Sequence, residues 1–239
     1  MNHRLHKKLR VGISTCLLGE NVRYDGGHKR ADVILSTLSR FFDWVPVCPE
    51  VEVGLGTPRE PMRLIGNPDS PRVVTLNTNV DVTERLLDFA HTKVQELTRL
   101  NLNGYILKKN SPSCGLAHVP VCRESGTLNG TSRGIFARRL KEEMAFLPLE
   151  EESRLTDPEL RENFVLRVFC YLRWQTLIQR EVQIEHLTSF HARHKPVLRA
   201  HSGKHTQALE RLVATARSPV ERALLYDYAA LFFEALSVA

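Results

Sequence analysis

The sequence predicts an α/β domain of Rossmann-like, three-layer build with a mostly parallel sheet, followed by a small all-α domain. Two observations carry this. Short apolar runs alternate with segments of helical period up to about residue 150, the pattern of βα units. Strand signals then stop, and only helical patterns follow. A boundary near Glu152 divides the chain into residues 1–152 and 153–239.

The elements read in order as follows. Leu9–Cys16 is an apolar run of strand type. Arg23-Tyr24-Asp25-Gly26-Gly27 supplies turn chemistry after it. Ala31–Phe42 places Val33, Ile34, Leu38, Phe41 and Phe42 on one side of a helix, and Trp44–Cys48 is a second short strand. Arg72–Leu76 reads as a strand. Asp81–Leu100 has a strong helical period, with Asp81 where an N-cap would sit. Tyr105–Leu107 is the next strand. Gly126–Gly134 reads as a Gly/Ser/Thr-rich loop, Ile135–Met144 as a helix and Ala145–Leu149 as a short last strand. Pro158 fits the first position of a helix after Asp157. Helical patterns then cover Asn163–Glu181, Ile184–Arg193, Thr206–Ala216 and Pro219–Leu236. The apolar run from Ala229 to Ala239 ends without a capping signal. The second domain is therefore expected either to be truncated or to pack its last helix elsewhere.

Composition narrows the function classes. The chain has 239 residues, 42% hydrophobic and 25% charged, ordinary for a soluble globular protein. No apolar run approaches the ~20 residues that span a bilayer. Met1 to Arg10 is polar and basic and lacks the apolar core of a signal peptide. A cytoplasmic location, with no membrane partner, is the expectation. A reducing compartment disfavours disulfides, so the five cysteines are buried thiols, catalytic groups or metal ligands. The net charge of +6 suits a polyanionic partner such as RNA.

Three cysteines occupy matching places. Cys16 and Cys48 end the first two strands, and Cys114 follows the strand that ends near Leu107. In an open α/β sheet the C-terminal strand edges line one crevice, so distant residues converge there. A structural zinc site needs four closed ligands, often as Cys-x-x-Cys pairs, and no such pair exists here. A [4Fe–4S] cluster usually takes four cysteines. Held by three, it would leave one iron open for a soft substrate atom such as a thiocarbonyl sulfur. Ordinary buried thiols explain the same positions. Cys170 lies in an apolar helical run and reads as core, and Cys122 flanks a possible strand.

Polar residues surround these cysteines. Glu50, two positions after Cys48, falls on the same side of an extended chain and could act as a general base. Glu52 competes for that role. Ser111 and Ser113 flank Pro112 in Ser-Pro-Ser-Cys-Gly, and either hydroxyl could relay a proton or fix a carbonyl. Lys108 and Lys109 could offset cluster or phosphate charge. The glycines before Ile135 could expose N–H groups to an anion, though their spacing matches no P-loop.

Four motifs in order carry a family resemblance: Ser14-Thr15-Cys16-Leu17-Leu18-Gly19, Val22-Arg23-Tyr24-Asp25-Gly26, Val47-Cys48-Pro49-Glu50 and Ser111-Pro112-Ser113-Cys114-Gly115. Residues 9–150 resemble the TudS family of thiouracil desulfidases. The resemblance implies a [4Fe–4S] cluster bound by Cys16, Cys48 and Cys114 with one open iron. It also implies a catalytic carboxylate and serine, best matched by Glu50 and Ser111. Arg23, Asp25, Lys108 and Ser113 are further candidates for substrate binding. The C-terminal part is similar to the helical domain of RudS-type tRNA desulfidases, through Phe190 to Lys195 and Ala200 to His205. That similarity implies 4-thiouridine in tRNA as substrate, and a thiolated free base or nucleoside is the other reading. A cluster-bearing RNA-binding protein without turnover is the non-enzymatic one.

The residues of that stretch agree with an RNA partner. Arg193, His194, Lys195, Arg199, Lys204 and His205 form a basic, imidazole-rich run beside Phe190. Basic side chains bind phosphates, and aromatic or guanidinium faces stack on bases. Its histidines are alternatively a metal site.

Overall fold

The computed structural model describes residues 8–238. The chain divides into two compact units after Asp157. The basic segment before Lys8 lies outside the described residues. Among these, no helix is long and apolar enough to cross a membrane.

The first unit is built on a four-stranded parallel sheet in the order β2-β1-β5-β8. Its strands are β1 (Leu9–Ser14), β2 (Phe42–Val47), β5 (Gly104–Leu107) and β8 (Leu149–Glu151). Val11, Ile13, Tyr105, Ile106 and Leu107 are completely buried, because helices cover a parallel sheet on both faces. The helices are α1 (Asp32–Leu38), the single turn α2 (Pro49–Glu52), α3 (Thr83–Arg99) and α4 (Ile135–Glu143). A β-carbon at Gly12 would lie 2.1 Å from the Tyr105 ring on the neighbouring strand, so only glycine lets that ring lie against β1.

A second sheet was not legible in the sequence. β3 (Met62–Ile65), β4 (Arg72–Thr75), β6 (Val119–Cys122) and β7 (Leu128–Ser132) form a mixed sheet in the order β4-β3-β6-β7. Arg72–Thr75 is thus a strand, but it pairs antiparallel with β3 and lies outside the parallel sheet. The expected loop at Gly126–Gly134 is largely β7, which returns antiparallel to β6 after a turn at Gly126 with φ of 87°. Its burial pattern is mostly exposed, so no apolar alternation announced it.

Smaller corrections share one cause, the reach of local signals. Asp81 is not the N-cap of α3, which is Val82, but its carboxylate accepts the Thr83 N–H at 2.9 Å from one position earlier. The last strand runs from Leu149 to Glu151, later than its apolar residues suggested. There Glu152 accepts the Lys109 N–H at 2.7 Å and pairs with the Lys108 ammonium. The 3-10 turn Arg154–Thr156 packs against β8 and α1, and the first compact unit runs to Asp157.

The second unit comprises α5 (Pro158–Ile178), α6 (Ile184–His201), α7 (Gly203–Thr215) and α8 (Arg222–Ser237). The expected segment Ile184–Arg193 continues as one helix to His201 with Pro196 inside it. Trp174, Phe190, Tyr228 and Phe232 form its aromatic centre, with ring centroids 5.3–6.2 Å apart in five of their pairs. The last helix packs against the other three.

Candidate active site

Parallel topology places the C-terminal ends of β2, β1 and β5 side by side. Cys16 follows β1 in a 3-10 turn (Thr15–Leu18), which Gly19 closes with φ of 96°. Cys48 follows β2 as the N-cap of α2. Cys114 lies in the loop that follows β5. All three line one cavity of about 440 Å³, together with Glu50, Arg59, Ser111, Arg23, Tyr24 and Lys108. Among the described residues, no three His, Cys, Asp or Glu side chains stand close enough to hold a single metal ion.

The Cys114 loop is braced by the start of α4. Ile135 and Phe136 donate their N–H groups to the carbonyls of Pro112 and Ser113 at 3.1 and 2.9 Å. A β-carbon on Gly134 would lie 2.5 Å from the Ser113 carbonyl group, so glycine alone permits this approach. The N–H groups once open to an anion at this helix start thus serve the loop instead.

Glu50 stands at the centre of a closed set of donors. Two N–H groups of Arg59 converge on its Oε2, from Nη2 and from Nε at 3.1 Å. Ser113 Oγ donates to its Oε1 at 3.0 Å and Ser111 Oγ approaches the same oxygen at 3.4 Å. The four lone-pair sites of the carboxylate are therefore all engaged. The longest contact belongs to Ser111, which lines the cavity. Ser111 Oγ also accepts the N–H groups of Ser113 and Cys114, at 3.2 and 3.0 Å, so its hydroxyl hydrogen is aimed at Glu50. Arg59 in turn donates to the carbonyls of Val22 and Gly56, both at 2.9 Å.

Electrostatics at the cysteines are set by burial. It pushes the Cys16 thiol up to about 11, with a further rise from neighbouring Cys48. Burial likewise raises Cys48. Cys114 is raised well above its ordinary value, by burial first and then by Glu50, although the Ser14 hydroxyl opposes this. Tyr105 is fully buried and its hydroxyl has no hydrogen-bond partner among the described residues. Burial first, then Cys114, Glu52, Cys48 and Cys16, hold that hydroxyl well above its usual range.

The structure sorts the remaining expected site residues. Glu52 faces away from the role proposed for it: its carboxylate accepts the Cys48 N–H at 3.0 Å and pairs with Lys93. Ser113 is completely buried behind Glu50 rather than facing the cavity. Asp25 does not line the cavity either; it accepts the Gly27 N–H at 3.0 Å within its turn and pairs with Arg23 at 3.4 Å. Arg23 and Lys108 do line it. Cys122 lies in β6 and Cys170 in the core of the helical unit, apart from the cavity. Arg59 escaped the sequence reading, since no motif spacing marks it. Its signal is chemical: a half-buried carboxylate in a cysteine-lined crevice requires a cation.

The histidine stretch is dispersed by the helices. His194 is 3% exposed, donates its Nδ1–H to the Phe190 carbonyl at 2.7 Å and packs on Phe232, so it cannot meet a phosphate as expected. Phe190 is buried in the aromatic centre and offers no face to a base. His191 bonds the Tyr228 hydroxyl at 3.1 Å, and His205 bonds the Ser202 hydroxyl at 2.7 Å. Lys195 and Arg199 both approach Glu210, at 2.7 and 3.7 Å. Arg193 and Lys204 are exposed.

Comparisons with known proteins converge on the first unit. A family model described as 2-thiouracil desulfurase matches residues 11–152. A protein of Bacillus subtilis (strain 168) named YbbK, described as uncharacterized, is 33% identical over 139 residues, which is 54% of this chain and 88% of that protein. A solved structure titled as a [4Fe-4S]-dependent thiouracil desulfidase, TudS, is 30% identical with a TM-score of 0.52, covering 66% of this chain and 99% of its own. More than half of the residues, including every side chain of the cysteine-lined cavity, lie within that family match, and the chain belongs to the 2-thiouracil desulfurase family.

Proposed function

We propose that this protein is a desulfidase that hydrolyses the C–S bond of a thiolated uracil carried in tRNA, 4-thiouridine, to give uridine and sulfide. The observation that carries this reading is the convergence of three thiols, a carboxylate and a cavity-facing serine at adjacent ends of one parallel sheet. In balanced form, the thiocarbonyl and one water give the carbonyl and hydrogen sulfide, with no change of oxidation state.

The donor set fits a [4Fe–4S] cluster held by Cys16, Cys48 and Cys114. Thiolates on different irons stand further apart than the ligands of one ion, in keeping with the lack of a single-ion site. The unpartnered Tyr105 hydroxyl among the cysteines is a donor that such a sulfur-rich group would satisfy. When bound, the cluster would supply one open, Lewis-acidic iron with affinity for the substrate sulfur.

The chain's own residues supply the proton handling. Arg59 keeps the Glu50 carboxylate oriented through Oε2. Oε1 is the working oxygen, since only the weak Ser111 contact must be displaced or used to bring a water's proton to it. Ser113 holds the same oxygen from the buried side. Lys108, tied to Glu152, and Arg23 border the cavity and suit the carbonyl and phosphate groups of a nucleotide.

Anaerobic reconstitution followed by a sulfide-release assay on thiolated tRNA, 4-thiouridine and free thiouracil tests this reading. Turnover on thiolated tRNA is expected, and sulfide from none of the three substrates would sink it. Membership of the 2-thiouracil desulfurase family favours a second reading, a desulfidase of free 2-thiouracil, for which the free base alone would be turned over.

A further inference from the structure

The proton handling at Glu50 makes no use of the Tyr105 hydroxyl. Tyr105 lies on β5 opposite Gly12 of β1, and a β-carbon at Gly12 would meet its Cδ2 at 2.1 Å and its Cε2 at 2.3 Å. The ring therefore runs across the neighbouring strand and carries its hydroxyl off β5. Phe136 of α4 packs edge-on against the ring, with centroids 5.7 Å apart at 66°. The side chain is completely buried and does not line the cavity. Among the described residues its hydroxyl has no hydrogen-bond partner, a state that native interiors rarely leave without a reason.

The groups that act on this hydroxyl belong to the site. After burial itself, Cys114 acts on it most strongly, followed by Glu52, Cys48 and Cys16. Glu52 is engaged elsewhere, by the Cys48 N–H at 3.0 Å and the Lys93 ammonium at 3.1 Å. The three cysteines differ in how their charge is offset. Lys108 and Arg23 favour a thiolate at Cys16, and Arg59 favours one at Cys48. Cys114, 6% exposed, is the most buried of the three, and no cation is among the groups acting most strongly on it. The Ser14 hydroxyl is the one group among these that favours its thiolate. Ser14 Oγ accepts the Lys108 N–H at 3.0 Å, which leaves its hydroxyl hydrogen for the sulfur. A buried charge without a cation calls for further hydrogen-bond donors.

We infer that Tyr105 is a positioning residue of the cluster site, its hydroxyl donating a hydrogen bond to the sulfur at Cys114 and, with Ser14, standing in for the cation that the other two cysteines have. Outer donors of this kind set how strongly a ligand gives electrons to its metal. A hydrogen bond to a ligand sulfur draws electron density from it and favours the reduced, more negative form of the cluster. The same withdrawal leaves the irons more electron-poor and strengthens the open one as a Lewis acid toward sulfur. Gly12 belongs to this arrangement, because any side chain there would push the ring away. The inference rests on the reading that Cys16, Cys48 and Cys114 hold a [4Fe–4S] cluster.

The test uses the full chain, reconstituted anaerobically with iron and sulfide, as wild type, Tyr105→Phe and a control, Tyr228→Phe, which removes a buried hydroxyl from the helical unit. Phe at 105 keeps the ring against Gly12 and Phe136, so iron content is expected to be equal in all three. In a mediated redox titration followed by EPR, the ratio of reduced to oxidised cluster at a fixed potential should be about 2- to 10-fold lower in Tyr105→Phe, the worth of one neutral hydrogen bond. Tyr228→Phe should match wild type. Reconstitution in D2O should move the Fe–S stretching bands of wild type in resonance Raman spectra, and move those of Tyr105→Phe less. An unchanged ratio and an unchanged isotope shift in Tyr105→Phe overturn the inference. So does an equal change in Tyr228→Phe, or loss of iron from Tyr105→Phe, which would make the hydroxyl part of the packing. A lowered ratio in Tyr105→Phe with no sulfide released by wild type from any thiolated substrate would refute the proposed function but not the role of Tyr105. Sulfide release by wild type with an unmoved ratio in Tyr105→Phe would refute that role but not the function.

Discussion

Cys16, Cys48 and Cys114 are far apart in sequence yet line one cavity, whereas Phe190 to His205 is one contiguous stretch whose side chains scatter. The difference lies in the two kinds of scaffold. A parallel sheet collects its C-terminal strand ends, so position along each strand is enough to bring side chains together. A helix turns its side chains through 100° per residue, so adjacent residues point to different surroundings. Arg193 reaches solvent while His194, the next residue, is buried among aromatic rings.

The largest effects are expected at the converging cysteines. Replacing any one of Cys16, Cys48 or Cys114 by Ala should abolish both iron retention and sulfide release, whereas Cys122→Ala should leave both near wild type. Iron and sulfide analysis of anaerobic preparations checks this. If Cys122→Ala loses iron as well, strand-end convergence is not what selects the ligands.

Next comes the carboxylate. Glu50→Gln keeps the size of the side chain and should retain iron, while turnover falls by roughly 10²–10⁴, the usual worth of a general base. Glu52→Gln, whose wild-type carboxylate caps Cys48, should lose far less activity. A reversal of that order in steady-state kinetics would exchange the roles of the two residues.

Arg59→Lys keeps the charge but loses the paired N–H groups on Oε2. A charge-assisted hydrogen bond is worth about 1.5–3 kcal/mol, so kcat should drop by about 10- to 100-fold with iron content unchanged. Retained kcat would show that Ser111 and Ser113 suffice to orient Glu50.

The smallest effect belongs to the helical unit. Burial lowers the pKa values of both His191 and His194; Glu210 opposes this at His191, and Arg173 and Arg193 reinforce it at His194. The unfolded chain, with histidines near ~6.5, then binds protons that the folded form refuses. The stabilisation is complete above that pH and is lost as pH falls below it, by at most about 1.4 kcal/mol per pH unit for each histidine. Thermal melts from pH 8 to pH 5.5 should show the loss, and His194→Phe should flatten it. A profile unaffected by that change would place the acid sensitivity elsewhere.

Much of the site was legible because its chemistry is tied to strand ends. An apolar run that stops at Cys16 or Cys48 tells both the strand and the edge at which the thiol sits. Glu50 was picked out by its distance to Cys48 on the premise of an extended chain, but it lies in the single turn α2, and that turn brings it to the same cavity. Arg59 was not, because its pairing with Glu50 depends on how the segment after α2 folds back to meet Val22 and Tyr24. The second sheet was hidden for a similar reason: β7 is largely exposed and carries no alternating apolar pattern. Ser111 and Ser113 look equivalent in Ser-Pro-Ser-Cys-Gly, and only packing under α4 buries one and leaves the other at the cavity.

By itself the sequence determined the α/β class, the helical second part, the family and the three cysteines at strand ends. These follow from local hydrophobic period and from motifs read in order. Tertiary structure alone decided which oxygen of Glu50 carries the weakest contact, which serine faces the cavity and which basic side chains reach solvent. Those depend on contacts between residues distant in sequence, such as Arg59 with Val22 or Gly134 with Ser113, and no local pattern encodes them.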